Sequence, residues 1–355
     1  MPTRVSALLA VAATGLLAAS TAQAASTSSH LYECRTLSPK AASPPPQPTL
    51  QPEVAAQMRE AIEADEFRPV CPAGEVPQPT GVMGPPARSA LAIRHHRRRH
   101  GRRSPIATPS RQSYGGAWYS YATGYQNFNA SKGVNGLWVQ QTNEQPYIPY
   151  EESLAGAHSL GQLWGYRFAG GCWSTVETGW RESAYSYGDV YPHLFVAAFD
   201  CAAWLGYANK GLPWVQSSGV VFPGSALSHN DAFHVYGARM DGNNWWIYYD
   251  GQWVGYIPHS AWTSLFPWPL TGIEAGGEVA TPKYETCADM GYAGLFGNNP
   301  GAAMFSDIWY EYNYNTHSSS ASMYQYSSDP GFYSTGHWDA GYPGSEFRYG
   351  GPGWC

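Results

Sequence analysis

Residues 244–257 read Asn244-Trp245-Trp246-Ile247-Tyr248-Tyr249-Asp250-Gly251-Gln252-Trp253-Val254-Gly255-Tyr256-Ile257. Runs rich in Trp, Tyr, Ile and Val flank the dipeptide Asp250-Gly251. Strands favour those side chains, and Asp-Gly supplies both positive-φ positions of a tight type I′ turn, so the stretch predicts a β-hairpin. Segments of the same kind recur at 136–141, 159–168, 174–181, 193–200, 219–222, 233–240, 272–279 and 302–310, cut by Gly, Pro, Asn and Asp. Beyond residue 113 no helical period of about 3.6 is convincing. About a dozen strands are more than one open sheet holds comfortably. The expected fold is all-β, an antiparallel β-sandwich of two packed sheets with surplus rings lining a cleft.

All 15 tryptophans lie beyond residue 113, as does every tyrosine except Tyr32, whereas residues 26–113 are rich in Pro, Ser, Ala and Arg. The chain therefore divides into 1–24, 25–113 and 114–355. The first opens Met1-Pro2-Thr3-Arg4, runs apolar from Ala7 to Ala19 and ends Ala22-Gln23-Ala24, the form of a secretory signal peptide. The second can bury little and reads as a loosely folded pro-segment and basic linker. The third is long enough for one sizeable core. No later stretch reaches the roughly 20 apolar residues of a membrane span, so the expectation is a soluble, secreted monomer.

Charge divides at the same boundary. Residues 1–111 carry 13 Lys+Arg against 7 Asp+Glu, a balance of +6, and residues 112–355 carry 7 against 19, a balance of −12. A basic leader on an acidic body suggests an electrostatic association that weakens in acid, with the leader as an intramolecular inhibitor. The run Arg94-His95-His96-Arg97-Arg98-Arg99-His100-Gly101-Arg102-Arg103 has no interleaved aromatic residue. It reads as a solvated, protease-accessible hinge rather than a nucleic-acid site. The six cysteines show no zinc-site spacing, and an even count in an exported chain points to disulfides. The pairings favoured are Cys34–Cys71, Cys172–Cys201 and Cys287–Cys355.

Two carboxylates stand out, Glu177 in Thr175-Val176-Glu177-Thr178-Gly179-Trp180 and Glu278 in Ala275-Gly276-Gly277-Glu278-Val279. A charge in an apolar strand is costly to desolvate, so such a residue is usually paired, hydrogen-bonded or chemically employed. Alternation along a strand puts Glu177 on one face with Gly179, and Glu278 with Gly276, leaving room for something to approach. Glu182 and Glu274 are rival carboxylates. A serine nucleophile lacks a Gly-x-Ser-x-Gly context, and His158, His193, His229, His234 and His259 fit no triad, so each reads as surface or hydrogen-bonded core. Paired cysteines and absent ligand spacings disfavour thiol and metal chemistry, leaving carboxylate acid/base catalysis with no cofactor.

These elements form an ordered set: Gln162-Leu163-Trp164, Val176-Glu177-Thr178-Gly179-Trp180, Tyr191-Pro192-His193-Leu194-Phe195-Val196, Gly242-Asn243-Asn244-Trp245-Trp246, Gly255-Tyr256-Ile257-Pro258, Leu265-Phe266, Gly276-Gly277-Glu278-Val279, Met290-Gly291 and Tyr349-Gly350-Gly351-Pro352-Gly353. In this order they resemble the neprosin domain. The resemblance implies a secreted glutamic peptidase with a β-sandwich fold, acting in acid on proline-containing peptides and cleaving after proline. It implies Glu177 and Glu278 as the catalytic pair, with Glu182 and Glu274 in structural or supporting roles. Gln162, Trp180, Gly276 and Gly277 are the candidates for substrate contact, with core packing the weightier reading of Trp180. Pro-containing leader segments, Pro44-Pro45-Pro46-Gln47-Pro48, Pro77-Gln78-Pro79 and Ser104-Pro105, are candidate sites of self-processing. The competing readings are a glycoside hydrolase using the same carboxylates and a non-catalytic carbohydrate-binding sandwich.

Overall fold

A computed structural model describes residues 32–36, 42–64, 71–72, 74–79, 112–114, 117–143, 157–187, 189, 191–201, 203–208, 210–228, 230–262, 269–281, 288–292, 295–312, 317–339 and 345–352. The first sheet runs in the order β10 (Gly211–Leu212), β9 (Ala203–Ala208), β8 (His193–Asp200), β7 (Cys172–Glu182), β6 (His158–Ala169), β15 (Gly272–Thr281), β4 (Ala117–Asn127) and β18 (Tyr324–Ser327). A short β3 (Gln112–Tyr114) also pairs with β4. The second sheet runs β11 (Val215–Gln216), β14 (Gln252–Ile257), β13 (Asn244–Tyr249), β12 (Asn230–Asp241), β5 (Val134–Asn143), β16 (Ala303–Tyr312), β20 (Ser345–Gly350) and β19 (Ser334–Asp339), with β17 (His317–Ser320) on β16. The two sheets pack face to face as a β-sandwich. Leu163, Val176, Trp180, Leu194, Ile273 and Ala275 of the first sheet share one buried core with Leu137, Val139, Tyr236, Trp245, Ile247 and Val254 of the second.

The hairpin forms as the sequence requires. Asp250 and Gly251 both take positive φ, 38° and 79°, and β13 pairs with β14 through Trp246↔Tyr256 and Tyr248↔Trp253. Asp250 is buried because its carboxylate is satisfied, accepting from the Val235 amide at 2.8 Å and lying 2.6 Å from His234 Nδ1. Segment 219–222, expected as a strand, is instead a bend. Side chains serve its backbone: Ser218 Oγ accepts from the amides of Val220 and Val221, and Gln216 Nε2 donates to the carbonyls of Ser218 and Val221. A local bond of this kind competes with ladder formation.

The loosely folded leader is a second correction. Residues 52–64 form helix α1 (Pro52–Ala64). Val54 and Met58 join Trp138, Val235, Trp246, Tyr248, Trp253, Tyr256 and Trp309 in a cluster on the outer face of the second sheet. Rings that cannot all fit between the sheets need another cover, and an amphipathic helix provides it. The leader's own β1 (Tyr32–Thr36) and β2 (Glu75–Pro79) pair antiparallel, with the Cys34–Cys71 disulfide close by. Cys172 and Cys201 are also bonded, tying the start of β7 to the end of β8. Cys287 and Cys355 lie outside the described residues, as do the signal segment and the 94–103 basic run. No described helix is long and apolar enough to cross a membrane.

Candidate active site

Strand β6 is the axis of the site, paired on one side with β7 and on the other with β15. Residues opposite one another on paired strands share a face. One row across the sheet reads Ala197, Glu177, Trp164, Glu274, Tyr125. The next on that face reads Phe195, Gly179, Gln162, Gly276, Thr123, and the third His193, Arg181, Leu160, Glu278, Tyr121. This face is turned away from the inter-sheet core, since Val176, Leu163 and Ile273, at the alternate positions, lie in the core. Glu177, Gln162 and Glu278 thus fall on a diagonal, with Gln162 between the two carboxylates. On a flat lattice of about 4.8 Å between strands and about 3.3 Å per residue, the glutamate backbones stand roughly 16 Å apart. The charge of Glu278 is still felt at Glu177.

Two glycines flank Gln162 in its row. A Cβ on Gly276 would lie 2.5 Å from the Ala122 carbonyl oxygen and the Thr123 Cα, and one on Gly179 would lie 2.1 Å from the Gly161 carbonyl oxygen. Flanking Gln162 on both sides, they let neighbouring strands close up beneath the amide. Gln162 is 1% exposed, so its amide is a buried polar group lying between the two carboxylates.

Glu177 and Glu278 are 2% and 1% exposed. Burial pushes the Glu177 carboxyl up to about 8; Thr175 Oγ1, donating at 2.7 Å, pulls it back, and the charge of Glu278 adds a smaller upward push. Burial likewise raises Glu278 to about 8, but more groups favour its ionised form: Tyr121, then Arg181, then Gln162. His158 Nε2 also lies 2.7 Å from Glu278 Oε1, with Arg181 3.4 Å from His158 Nδ1. An arginine cannot accept, so the Arg181 contact assigns the imidazole proton to Nε2, where it donates to Glu278. Arg181 is itself held by Ser186 Oγ at 3.2 Å and by the Tyr207 ring, 4.9 Å from its guanidinium carbon.

The other candidates divide by face. Gln162 and Gly276 are on the face of the two glutamates. Trp180 is turned into the inter-sheet core, where its Nε1 donates to the Thr142 carbonyl at 3.0 Å, so packing is its role in this structure. Gly277 also faces inward, and a Cβ there would strike the Tyr349 ring at 2.4 Å. Glu274 shares the row of Glu177, accepts from Thr123 Oγ1 at 2.6 Å and is raised to about 8, mainly by burial. Glu182 lies at the alternate parity, raised to about 9 by burial and then by Asp189 and Asp289. The reading from sequence missed Tyr121, His158 and Arg181. The signal for His158 was present, since it precedes Gln162 by four residues on one strand and so shares its face.

A model of one protein family, Neprosin, matches residues 155–352. The chain belongs to the neprosin family. That membership points to a peptidase, and the matched span carries Glu177, Glu278, Gln162, His158 and Arg181. Strands β4 and β5 precede the span but complete both sheets of this neprosin-family chain, and β4 brings Tyr121 and Thr123 to the face of the two glutamates. Solved structures overlap the chain only partially. A β-porphyranase from the gut bacterium Bacteroides plebeius is 12% identical, with a TM-score of 0.25, over 49% of this chain and 73% of that one. An immunostimulatory antigen and pseudo β-1,3-glucanase of Mycobacterium tuberculosis is 10% identical, with a TM-score of 0.26, over 56% of this chain and 86% of that one. Overlaps this loose say nothing about function.

Proposed function

We propose that this neprosin-family chain is a glutamic endopeptidase, exported and made with a pro-segment, which hydrolyses peptide bonds after proline without a covalent intermediate. The observation that carries this reading is the placement of Glu177 and Glu278 on one face of the first sheet, both buried and raised, with Gln162 between them and Gly179 and Gly276 on either side of it. The proline preference and export rest on the sequence resemblance and the N-terminal segment.

The surroundings divide the roles. Glu278 is surrounded by donors and is the better ionised carboxylate, so it takes the proton of the attacking water. Glu177, with Thr175 Oγ1 as its donor and the Glu278 charge raising it, holds its proton and gives it to the carbonyl oxygen as the tetrahedral centre forms. Gln162, buried between the two glutamates, is placed to donate to the developing oxyanion or to orient the water. Glu177 must be protonated, so turnover falls as pH rises through about 8. Peptide entering the site brings amide donors that favour ionised Glu278 and extend activity to lower pH.

The test offers a proline-containing peptide and a β-glucan in parallel, in acid, to the purified chain and to Glu177→Gln and Glu278→Gln. Peptide cleavage lost in both variants supports the reading. Glucan cleavage, or peptide turnover surviving either substitution, overturns it.

A further inference from the structure

The leader's described segment lies on the second sheet, on the opposite side of the sandwich from the glutamates, and the way it is held is informative. Residues 42–50 run Ala42-Ser43-Pro44-Pro45-Pro46-Gln47-Pro48-Thr49-Leu50, with Pro45 buried and Pro44, Pro46 and Gln47 exposed. Two of the polar grips reach backbone atoms: the Ala42 amide donates to Tyr256 Oη at 3.3 Å, and Arg239 donates to the Pro46 carbonyl at 3.5 Å. Beneath lie Trp246 and Tyr256, with ring centroids 4.6 Å apart, and Leu50 packs against the same cluster. Arg239 is steadied by Glu311, 3.6 Å away. Helix α1 follows, held by Val54 and Met58 in the aromatic cluster and by Gln140 Nε2 donating to Gln57 at 2.9 Å.

An aromatic floor with polar side chains that meet main-chain groups, here Arg239 donating to a carbonyl and Tyr256 accepting from an amide, is how proline-rich segments are recognised, because a polyproline helix leaves its backbone groups unpaired and loses little entropy on binding. Grips on the backbone read shape, not side-chain identity, and so suit other proline-rich chains. We propose that the outer face of the second sheet, built on Tyr256, Arg239, Trp246 and Trp253, is a binding site for proline-rich polypeptides, filled in cis by residues 42–50 and opened when α1 is displaced. The site is separate from the glutamate face and stands whatever chemistry those residues perform.

The experiment uses the full chain with Glu278→Gln, so that no probe is cut, and a fluorescent (Pro-Pro-Pro-Gln-Pro)₃ peptide read by anisotropy. Adding Val54→Asp and Met58→Asp loosens α1. Because the cis segment competes at high effective concentration, probe affinity should rise at least about tenfold. Arg239→Ala in that background should weaken the probe about tenfold through loss of a charged hydrogen bond. An unlabelled peptide of residues 42–64 should displace it. Equal affinity before and after α1 is loosened, indifference to Arg239→Ala, or failure of the 42–64 peptide to compete would each overturn the proposal. If near-ultraviolet circular dichroism shows that the double substitution unfolds the domain, the chain nicked within Arg94–Arg103 replaces it, with the same outcomes required.

Discussion

Replacing His158 with Phe keeps a planar ring in a fully buried position but removes the donor to Glu278. The lost contact, 2.7 Å long and to a carboxylate, is a charge-assisted hydrogen bond. Such bonds contribute about 1.5–3 kcal/mol, and about 1.4 kcal/mol corresponds to one pKa unit. The donor favours the ionised form, so its removal raises the Glu278 pKa, by about 1–2 units on that conversion. If Glu278 is the base, the acid limb of kcat/KM moves up by the same amount. At a pH below that limb the loss is about 10–100-fold, and it shrinks as pH rises toward the alkaline limb.

The assay is a pH profile of kcat/KM on a proline-containing peptide for the wild-type chain, His158→Phe and His158→Gln, the last retaining a donor. Partial return of the limb in His158→Gln is expected. A uniform loss at every pH would mean that His158 only supports packing, and movement of the alkaline limb instead would exchange the roles of Glu177 and Glu278. Either result refutes the reasoning.

Thr175→Val removes the hydroxyl donor to Glu177 and should move the alkaline limb upward by about 0.5–1 unit, the equivalent of a neutral hydrogen bond, in the same profile. Gly276→Ala places a methyl group 2.5 Å from backbone atoms of β4, so β15 must shift; a fall of several degrees in melting temperature by calorimetry, with loss of activity, is expected. Glu177, Glu274, Glu278 and Glu182 have folded pKa values of about 8, 8, 8 and 9, above the ordinary 4.5. The folded state then holds more protons than the unfolded one, so stability is greatest below about 4.5 and falls as pH rises toward 8–9; urea melts at pH 4 and pH 8 should show the chain more stable in acid. Pro77 and Pro79 are held in β2, and residues 42–50 are held against the second sheet through Tyr256 and Arg239, so acid-triggered self-processing should cut after Pro105, read by N-terminal sequencing, and fail in Glu278→Gln.

The sandwich was legible where the sequence alternates or carries a turn with one solution. The Asp250-Gly251 hairpin and the strand at 193–200 formed within their expected bounds. Strand β4 was not legible, because it is buried on both faces: Ala122 lies in the inter-sheet core while Tyr119 and Tyr121 pack on the other side. A strand covered twice has no polar alternation to reveal it, and its loss from the reading hid Tyr121 and Thr123. Helix α1 was overlooked for a different reason. Val54, Met58 and Ala61 recur at helical spacing, but the composition of the leader as a whole suggested a segment unable to bury anything, and a local period can outweigh a global average. The parity of Glu177 with Gly179 and of Glu278 with Gly276 was readable from alternation alone, whereas the diagonal through Gln162 needed the register of three strands.

Two sources of a preference for acid can be set against each other: the −12 balance of the residues beyond 111, and repulsion between two glutamates that share a proton. In the structure the largest cause at Glu177, Glu274, Glu278 and Glu182 alike is burial, with neighbouring charge secondary. The distinction has consequences. Surface repulsion is screened by salt and spread over many residues, whereas desolvation is local and insensitive to ionic strength. The response to pH should therefore persist in high salt and be removed residue by residue when buried glutamates are neutralised. It also links stability to chemistry. The burial that keeps Glu177 protonated for proton donation is the same burial that destabilises the fold once these carboxyls ionise, so a variant that opens the site to water should gain stability in alkali while losing the acid.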